Sequence, residues 1–491
     1  MQMHARAGHQ PKLSIKLVQQ ITGGTLLQPI KKDILFDDIS TDSRTITPGS
    51  LFVTLTGENF EGKSFAKHAV GKGAVGLLTT HTPRPEPPSL DFEPQVHVII
   101  VNDTLRALGD IAAHRRSWYR NLPVIAITGS SGKTTVKEMT SSIVGQKFCQ
   151  LKTEGNFNNL IGLPLTLLRL KPEHEVAILE MGMNRPGEIA RLTEIADPDI
   201  ACINNIQEAH LEGLVDIQGV AMAKNELFTG LKPDGKVVVN LDDDMVRQLA
   251  EKLTQEKITY GLAPEALIRA TNIQGYAEKG MTFTLHIGNQ KADVVLKALG
   301  QHNVLNSLAA AAMAHGLGMT IDDIVKGLVS FSPYDKRSCL EELPSGLKVL
   351  NDSYNANPSS MLAALQAIKD MKKSHRSVAA LGDMLELGPK SDEAHRFIGT
   401  SVAQLDFDYL AAFGPHAHHM VAAAVTAGMD QSCAKAFSSK EKMADWLIQL
   451  KGNEQLSTGD WLLIKGSRGM QMETVLELLQ QKMNSNLTAG N

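Results

Sequence analysis

The feature that most restricts the fold is one segment, Val124-Ile125-Ala126-Ile127-Thr128-Gly129-Ser130-Ser131-Gly132-Lys133-Thr134-Thr135. An apolar run enters a polar turn that carries two glycines, and Val136, Met139 and Ile143 follow at the spacing of one buried helix face. This order predicts a strand, a tight loop and a helix. The backbone N–H groups of such a loop and the N-terminus of the helix both attract an anion.

The loop chemistry predicts a nucleoside triphosphate site. Lys133 can reach the terminal phosphates, and the Thr134 hydroxyl can ligate Mg²⁺. The strict phosphate-loop pattern has a glycine five residues before Gly132, where Ile127 stands, so only the shorter Thr-Gly-x-x-Gly-Lys-Thr pattern is present. The alternative is an ordinary strand-to-helix turn. The predicted nucleotide contacts are Thr128, Gly129, Ser130, Ser131, Gly132, Lys133, Thr134 and Thr135.

The chain has 491 residues, which is too long for one typical domain. We predict an α/β fold of three domains at residues 1–102, 103–331 and 332–491. The first is a small α/β domain whose proline-rich segment, 82–94, forms a surface loop. The second alternates strands and helices, which indicates a parallel sheet covered by helices, and the third starts a new doubly wound alternation.

Composition excludes several classes of protein. The net charge of −4 provides no strong field for nucleic acid, and no apolar run reaches the length of a membrane span. Residues 1–11 lack the apolar core of a signal peptide, and the four cysteines lie far apart without metal-site spacing. We therefore expect a cytoplasmic protein with reduced thiols, no nucleic-acid partner and no membrane span. We also expect a monomer.

Polar residues at strand ends mark candidate sites in the second region, because ligands bind beyond the carboxyl ends of parallel strands. Glu180 follows the apolar run 176–179, where a carboxylate can ligate Mg²⁺. His210 lies in the loop after the next strand, and Lys224 lies on a helix predicted over 220–228. Each has an ordinary alternative. Glu180 could cap a helix or form a salt bridge, His210 could be a plain loop histidine, and Lys224 could lie on a solvated helix face.

Three further groups of residues suit ligands. The loop 154–164 carries Asn156, Asn158 and Asn159 and suits a sugar or a phosphate chain, or it forms an Asx-turn before a helix. Asn303, near the start of an alanine-rich helix, can bind a base edge or cap the helix. Ser43 and Arg44 can bind a phosphate or form a solvated turn.

Three polar clusters follow predicted strands of the third region. They are Asp352-Ser353-Tyr354-Asn355-Ala356-Asn357-Pro358, Gly382-Asp383-Met384-Leu385-Glu386-Leu387-Gly388 and Lys465-Gly466-Ser467-Arg468-Gly469. Because parallel strands end at the same edge of a sheet, all three clusters should meet there. Any one of them could be plain turn chemistry, but the three together favour a site.

In this order, the motifs resemble those of the Mur ligase family. The matching motifs are Thr-Gly-Ser-Ser-Gly-Lys-Thr, Gly-Asn-x-Asn-Asn, Glu-Met-Gly, the loop histidine, Lys224 and His-Asn-x-x-Asn. Family members are ATP-dependent amide ligases that build the peptide of bacterial cell-wall precursors through an acyl phosphate. The third-region clusters are similar to those of members that add D-alanyl-D-alanine to UDP-N-acetylmuramoyl-tripeptide. The similarity runs from about Leu13 to about Leu479.

The resemblance implies a role for each domain and each motif. The first domain would bind the UDP-sugar, the second ATP, and the third would close over ATP and the dipeptide. Implied catalytic residues are Lys133, Glu180, His210 and Lys224, and the implied ligands of two Mg²⁺ ions are Thr134, Glu180, His210 and Lys224 as a carbamate. Implied ATP contacts besides the loop are Asn303 to adenine, Asp352 to ribose and Arg337. Implied substrate contacts are Ser43, Arg44, Asn156, Asn158 and Asn159 for the UDP-sugar and Tyr354, Asn355 and Asn357 near the dipeptide.

One departure and three alternatives remain. Family members often carry Pro-Gly-Arg at the start of the last domain, where this chain has Tyr334-Asp335-Lys336-Arg337 and keeps only the arginine. Other readings are a different Mur ligase such as the tripeptide synthetase, a folylpolyglutamate synthase, or a nucleotide-binding regulatory protein that no longer ligates. The intact Lys133 and Glu180 argue against the last of these.

Overall fold

The computed structural model describes residues 12–30, 32–57, 60–80, 96–208, 211–334 and 336–489. The predicted surface loop 82–94 and His210 lie outside the described residues. Within this described part, no helix is both long and apolar enough to cross a membrane.

The first region folds into a five-stranded sheet with strand order β1-β7-β6-β3-β2, beside a small hairpin. Its strands are β1 (Thr25–Leu26), β2 (Ile39–Ser40), β3 (Leu51–Val53), β4 (Thr56–Gly57), β5 (Phe60–Glu61), β6 (Gly76–Thr80) and β7 (His97–Val101). Its helices are α1 (Ile15–Thr22) and α2 (Ala66–Gly71), the latter preceded by a 3-10 turn, Gly62–Phe65. Val18, Leu78 and Ile99 pack with Leu108 of the following helix, α3 (Thr104–Ser117), so this region is anchored to the next one.

The second region contains a nine-stranded sheet with order β16-β15-β14-β13-β12-β11-β8-β10-β9. Its strands are β8 (Val124–Thr128), β9 (Gln150–Lys152), β10 (Val176–Glu180), β11 (Ile200–Ile203), β12 (Lys236–Asn240), β13 (Glu256–Gly261), β14 (Ile268–Gly275), β15 (Met281–Ile287) and β16 (Gln290–Leu296). Its helices after α3 are α4 (Lys133–Val144), α5 (Gly162–Leu168), α6 (Glu188–Ala196), α7 (Leu211–Leu214), α8 (Ile217–Thr229), α9 (Asp244–Glu251), α10 (Gln301–Gly316) and α11 (Ile321–Ser330). A 3-10 turn spans Ala277–Lys279.

Helices cover both faces of this sheet. Ile125 and Ile127 of β8 pack in a core that includes α4 and α10, whereas Val124 and Ala126 pack in a second core that includes α6 and α8. Successive strand residues point to opposite faces, so an unbroken apolar strand such as β8 needs cover on both sides. The end of β8, where the glycine-bearing loop begins, is therefore held inside the sheet, between β11 and β10.

One edge of this sheet departs from the predicted strand–helix alternation. β15 pairs antiparallel with both β14 and β16, whereas every pairing among β8 to β14 is parallel. The residues Gly288-Asn289 join β15 to β16, and Gly288 has a φ of 57°, which suits the tight hairpin turn. This turn signal was overlooked in the sequence, but the predicted α/β class of three sheet-containing regions is confirmed.

The third region has a six-stranded sheet with order β17-β18-β22-β19-β20-β21, in which only β17 is antiparallel to its neighbour. Its strands are β17 (Cys339–Glu342), β18 (Lys348–Asp352), β19 (Ser377–Gly382), β20 (Tyr409–Phe413), β21 (Ala434–Phe437) and β22 (Trp461–Lys465). Its helices are α12 (Pro358–Lys372), α13 (Ser391–Gln404), α14 (Ala417–Thr426), α15 (Lys440–Gly452) and α16 (Glu473–Ala489), with 3-10 turns at Gly388–Lys390, Gln431–Cys433 and Arg468–Met470. Because β18, β22 and β19 are neighbours, the three polar clusters that follow them do meet at one edge.

Candidate active site

The glycine-bearing loop between β8 and α4 is closely fitted to its surroundings. Gly132 has a φ of 75°, and a Cβ placed on it would lie 2.5 Å from Oδ1 of Asn306. Only glycine avoids both the backbone strain and the collision. Lys133 Nζ donates a hydrogen bond to the Gly129 carbonyl at 2.7 Å, so the lysine folds back over the loop.

The loop after β11 holds the backbone of this phosphate loop. The Ser130 and Ser131 N–H groups donate to the main-chain and side-chain oxygens of Asn205, at 3.0 and 2.9 Å respectively. The Ser130 hydroxyl donates to the Gln207 carbonyl at 2.9 Å. Asn205 therefore shapes the loop. Asn205 comes two residues after the end of β11, where polar ligand contacts are expected in a parallel sheet, whereas no residue-type signal distinguishes Gln207.

A row of side chains links the phosphate loop to α10. The Tyr260 hydroxyl donates to Asn204 Oδ1 at 3.0 Å, Asn204 Nδ2 donates to Asn306 Oδ1 at 3.1 Å, and Asn306 Nδ2 donates to Asn303 Oδ1 at 3.0 Å. Asn303 Nδ2 completes this asparagine row by donating to the Leu299 carbonyl at 2.8 Å. The amide of Asn303, the predicted adenine contact, is thus already bonded at both ends, although the residue lines the cavity.

Thr134 and Glu180 lie together, in the arrangement expected of a cation site. The Thr134 hydroxyl donates to Glu180 Oε2 at 2.7 Å, and Asn158 Nδ2 donates to Oε1 at 2.8 Å. Glu180 is 2% exposed, so its carboxylate is fixed by these bonds. Asn158, a predicted sugar contact, instead contacts this carboxylate.

The other loop asparagines differ from one another. Asn159 Oδ1 accepts the N–H groups of Ile161 and Gly162 at 3.1 and 2.9 Å, which is the Asx-turn alternative. All three asparagines line the cavity beside the phosphate loop. The side chain of Asn158 is bonded to Glu180, and that of Asn159 to the backbone just before α5 and at its start.

Two cations face the same space. The Arg337 guanidinium stacks on the Tyr354 ring with its carbon 3.7 Å from the ring centroid, and its buried Nε has no hydrogen-bond partner among the described residues. Desolvation lowers the pKa of Lys133, the charge of Arg337 lowers it further, and Glu180 opposes both. A polyanion such as a triphosphate would relieve this repulsion.

The strand ends of the third region carry a buried ion pair. Lys465, at the end of β22, pairs with Asp352 at the end of β18 and donates to the Asn355 carbonyl at 3.0 Å. Asp352 Oδ1 also accepts the Ser338 N–H at 2.9 Å. Both charged residues line the cavity. Lys465 was noted in the sequence only as part of a polar cluster, and its pairing with the predicted ribose contact was not foreseen.

Asn357 connects the third region to the phosphate loop. Its Nδ2 donates to the Ser130 carbonyl at 3.4 Å, while its Oδ1 caps α12 by accepting the Ser360 N–H at 2.8 Å. Asn355 Oδ1 accepts the Arg468 N–H at 3.4 Å. The second and third regions thereby enclose a cavity of about 700 Å³ lined by residues from Leu105 to Arg468.

Ser43 and Arg44 do not line this cavity. The Ser43 hydroxyl lies 3.1 Å from His68 Nδ1, and the exposed Arg44 pairs with Asp42 at 2.7 Å. This pairing lowers the pKa of Asp42 to about 2. The structure therefore places these two predicted UDP-sugar contacts away from the phosphate loop, in the first region.

Lys224 is buried on α8, 1% exposed, and does not line the cavity. Burial lowers its pKa well below the usual value, and the charge of Lys133 adds to the effect. Its neighbour Glu226 accepts the N–H groups of Gly187 and Ala190 at 2.7 and 2.9 Å. Glu226 therefore caps α6 with both of its carboxylate oxygens.

Three family models match this chain. They are "Mur ligase family, catalytic domain" at residues 36–116, "Mur ligase middle domain" at 127–314 and "Mur ligase, glutamate ligase domain" at 338–468. A phosphate-loop domain that shares its cavity with a doubly wound domain is the architecture of a nucleotide-dependent ligase. The chain belongs to the Mur ligase family, as its motifs predicted.

Similar proteins cover almost the whole chain. A UDP-N-acetylmuramoyl-tripeptide–D-alanyl-D-alanine ligase from Escherichia coli (strain K12) is 38% identical over 455 residues, which are 91% of this chain and 95% of the relative. The enzyme of the same name from Bacillus subtilis (strain 168) is 34% identical and covers 95% of this chain and 98% of the relative. A crystal structure of MurF from Acinetobacter baumannii has a TM-score of 0.85 at 33% identity, covering 96% and 100% of the two chains. MurF from Thermotoga maritima in complex with ADP has a TM-score of 0.79 at 25% identity, covering 91% and 98%.

Proposed function

We propose that the chain joins D-alanyl-D-alanine to UDP-N-acetylmuramoyl-tripeptide and converts ATP to ADP and phosphate. The observation that carries this proposal is the cavity in which the phosphate loop faces the strand ends of the third region. The relatives from Escherichia coli and Bacillus subtilis are named for the same reaction. It is also the reaction that the sequence motifs predicted.

The chemistry explains why two kinds of site share one cavity. A carboxylate oxygen of the tripeptide attacks the γ-phosphorus of ATP, ADP leaves, and an acyl phosphate forms. The amine nitrogen of D-alanyl-D-alanine then attacks the acyl carbon, phosphate leaves with the C–O electron pair, and the amine releases a proton. Lys133 and Arg337 offset the negative charge that gathers on the transferring group. Enclosure of the cavity by two regions keeps water from the acyl phosphate.

Thr134 and Glu180 are the proposed ligands of Mg²⁺. A hydroxyl and a carboxylate held together at a strand end beside a phosphate loop form a hard oxygen donor set, which is the kind Mg²⁺ prefers. When bound, the ion would supply positive charge to the phosphate oxygens. Asn158 would orient the carboxylate through its bond to Oε1. We also propose a second Mg²⁺ that is held with His210, a residue outside the described ones.

Lys224 is the proposed carbamate. Its amine must be neutral to react with CO₂, forming an N–C bond and releasing one proton, and burial favours the neutral form. The product is an anion with two oxygens, both suited to a hard cation. A free ammonium would repel the same cation.

Each domain has a proposed role. Residues 1–102 would bind the UDP-sugar with Ser43 and Arg44, and residues 103–331 would bind ATP through the phosphate loop. Inside the cavity, Asn156 would contact the sugar, and Asp352 at the end of β18 would contact the ribose. Residues 332–491 would place Tyr354, Asn355 and Asn357 near the dipeptide. We further propose a cytoplasmic monomer, since ATP and UDP-linked precursors are cytoplasmic compounds.

ADP release tests the proposal. The intact chain is incubated with ATP, Mg²⁺ and UDP-N-acetylmuramoyl-tripeptide, and D-alanyl-D-alanine is compared with L-alanine, D-glutamate and diaminopimelate as the amine. We expect ADP release only with the dipeptide. Addition of diaminopimelate to UDP-N-acetylmuramoyl-dipeptide would indicate the tripeptide synthetase. Use of folate and glutamate would indicate folylpolyglutamate synthase, and no turnover with any amine would indicate a regulatory protein. The Lys133→Ala variant provides the background rate.

A further inference from the structure

A cluster in the third region has the make-up of a second kind of metal site. Asp392, His416 and His419 each offer one ligand atom, and these atoms all lie within 4.8 Å of one another. No residue of the cluster lines the cavity described above. We propose that these three side chains bind a divalent transition-metal ion such as Zn²⁺.

The distances within the cluster match those around such an ion. Asp392 Oδ1 lies 2.9 Å from His416 Nδ1 and 3.1 Å from His419 Nε2. Ligand atoms bound to Zn²⁺ at about 2.0–2.2 Å lie about 2.8–3.6 Å from one another in octahedral or tetrahedral geometry. Small side-chain rotations would therefore let all three atoms face one ion.

Two helices supply the ligands. Asp392 lies in the first turn of α13, while His416 directly precedes α14 and His419 lies in its first turn. Residues three apart share one face of a helix, so the two imidazoles can converge on the carboxylate. A bound ion would link the start of α13 to the start of α14.

Surrounding groups hold the His416 ring in place. Its second nitrogen, Nε2, lies 3.2 Å from the Ser391 hydroxyl, and its ring stacks on His395 with a centroid separation of 4.7 Å. The His416 backbone N–H donates to Asp383 Oδ2 at 3.0 Å. A partner on the non-ligating nitrogen is the usual support of a metal-binding histidine, because it fixes the tautomer and the ring orientation.

Exposure and donor type select the class of metal. The side chains of Asp392, His416 and His419 are 57%, 33% and 17% exposed, so water can complete the coordination. Two imidazoles and one carboxylate suit Zn²⁺, Co²⁺, Ni²⁺ or Cu²⁺, whereas Mg²⁺ prefers sites made only of oxygen. The cluster therefore differs in chemistry from the Thr134–Glu180 pair.

Calorimetric titration of the untagged intact chain with ZnCl₂ tests the proposal, with Mg²⁺ in large excess to occupy oxygen sites. We expect one Zn²⁺ per chain, and an affinity lowered at least about tenfold in His419→Ala and in the isosteric Asp392→Asn variant. His418→Ala is the matched control, because the His418 ring lies beside that of His419, with centroids 3.9 Å apart, but His418 is not in the cluster. Its affinity should equal that of the unaltered chain.

Two further readouts locate the ion. Zn²⁺ should raise the thermal midpoint of the unaltered chain and of His418→Ala but not of His419→Ala, since only the native state would hold the ion. Anomalous scattering at the zinc edge from soaked crystals should peak between α13 and α14. Any one of three results would overturn the proposal. These are equal Zn²⁺ affinity in His419→Ala and the unaltered chain, no Zn²⁺ binding by the unaltered chain, and an anomalous peak elsewhere. Circular dichroism verifies that the variants fold.

Discussion

Replacing Lys465 by Met should destabilise the third region by about 3 kcal/mol, because breaking a buried ion pair by removing one partner costs about 3–5 kcal/mol. The side chains of Lys465 and Asp352 are 3% and 16% exposed, so the carboxylate would remain largely out of water without its cation. Asp352 would still accept the Ser338 N–H at 2.9 Å, which favours the lower end of the range. Methionine preserves most of the packing of the lysine stem.

The assay is equilibrium unfolding in urea, followed by tryptophan fluorescence. Of the three tryptophans, Trp446 and Trp461 belong to the third region, so a Trp118→Phe background restricts the signal to that region. The double variant Lys465→Met, Asp352→Asn is the control, since removing both charges should recover much of the stability and complete a double-mutant cycle. A loss below about 1 kcal/mol, as for a surface pair, or a double variant no more stable than Lys465→Met, would refute the reasoning.

Three other changes have defined outcomes. Lys133→Ala should lower ADP release about a hundredfold or more through lost charge stabilisation, and near-normal turnover would remove this lysine from the phosphate site. Lys224→Ala should be nearly inactive and partly rescued by acetate, whereas an active variant indifferent to acetate would contradict the carbamate. Asp323, hydrogen-bonded by Lys147 and Thr320, has its pKa lowered from 3.8 to about 2. Because the pKa of Asp323 is lower in the folded state, its stabilising effect is complete above pH 3.8 and is lost as the pH falls through about 2. The thermal midpoints of Asp323→Asn and the parent should therefore converge in acid. A difference in midpoint that stays constant with pH would contradict this prediction.

The positions of strand-end residues could be predicted from the sequence. Thr134 and Glu180 meet because β8 and β10 are adjacent parallel strands, and Asp352 reaches the same cavity because β18 ends at its edge. The family and its ligase reaction were predicted from motif order and are confirmed by the relatives. The roles assigned to individual residues stay predictions.

Hydrogen-bond partners within loops could not be predicted. Asn158 and Asn159 stand side by side in one motif, yet the first contacts Glu180 and the second forms an Asx-turn just before α5. The partner of an amide depends on the loop conformation, which residue type alone does not determine. Lys465 was missed for a related reason: its pairing with Asp352 follows from the adjacency of β18 and β22, which are far apart in sequence.

The asparagine row has a direction. Each amide donates towards Leu299, whose backbone carbonyl can only accept, and the row begins at the Tyr260 hydroxyl. The Leu299 carbonyl and the Ser131 carbonyl, to which Asn204 also donates at 3.1 Å, can only accept, so no amide can rotate by half a turn, alone or together with the others, without placing two acceptors face to face. The direction of the row is therefore fixed both from the phosphate loop and from Leu299, and loss of the Tyr260 hydroxyl would remove one donor from Asn204 Oδ1 while every amide keeps its orientation.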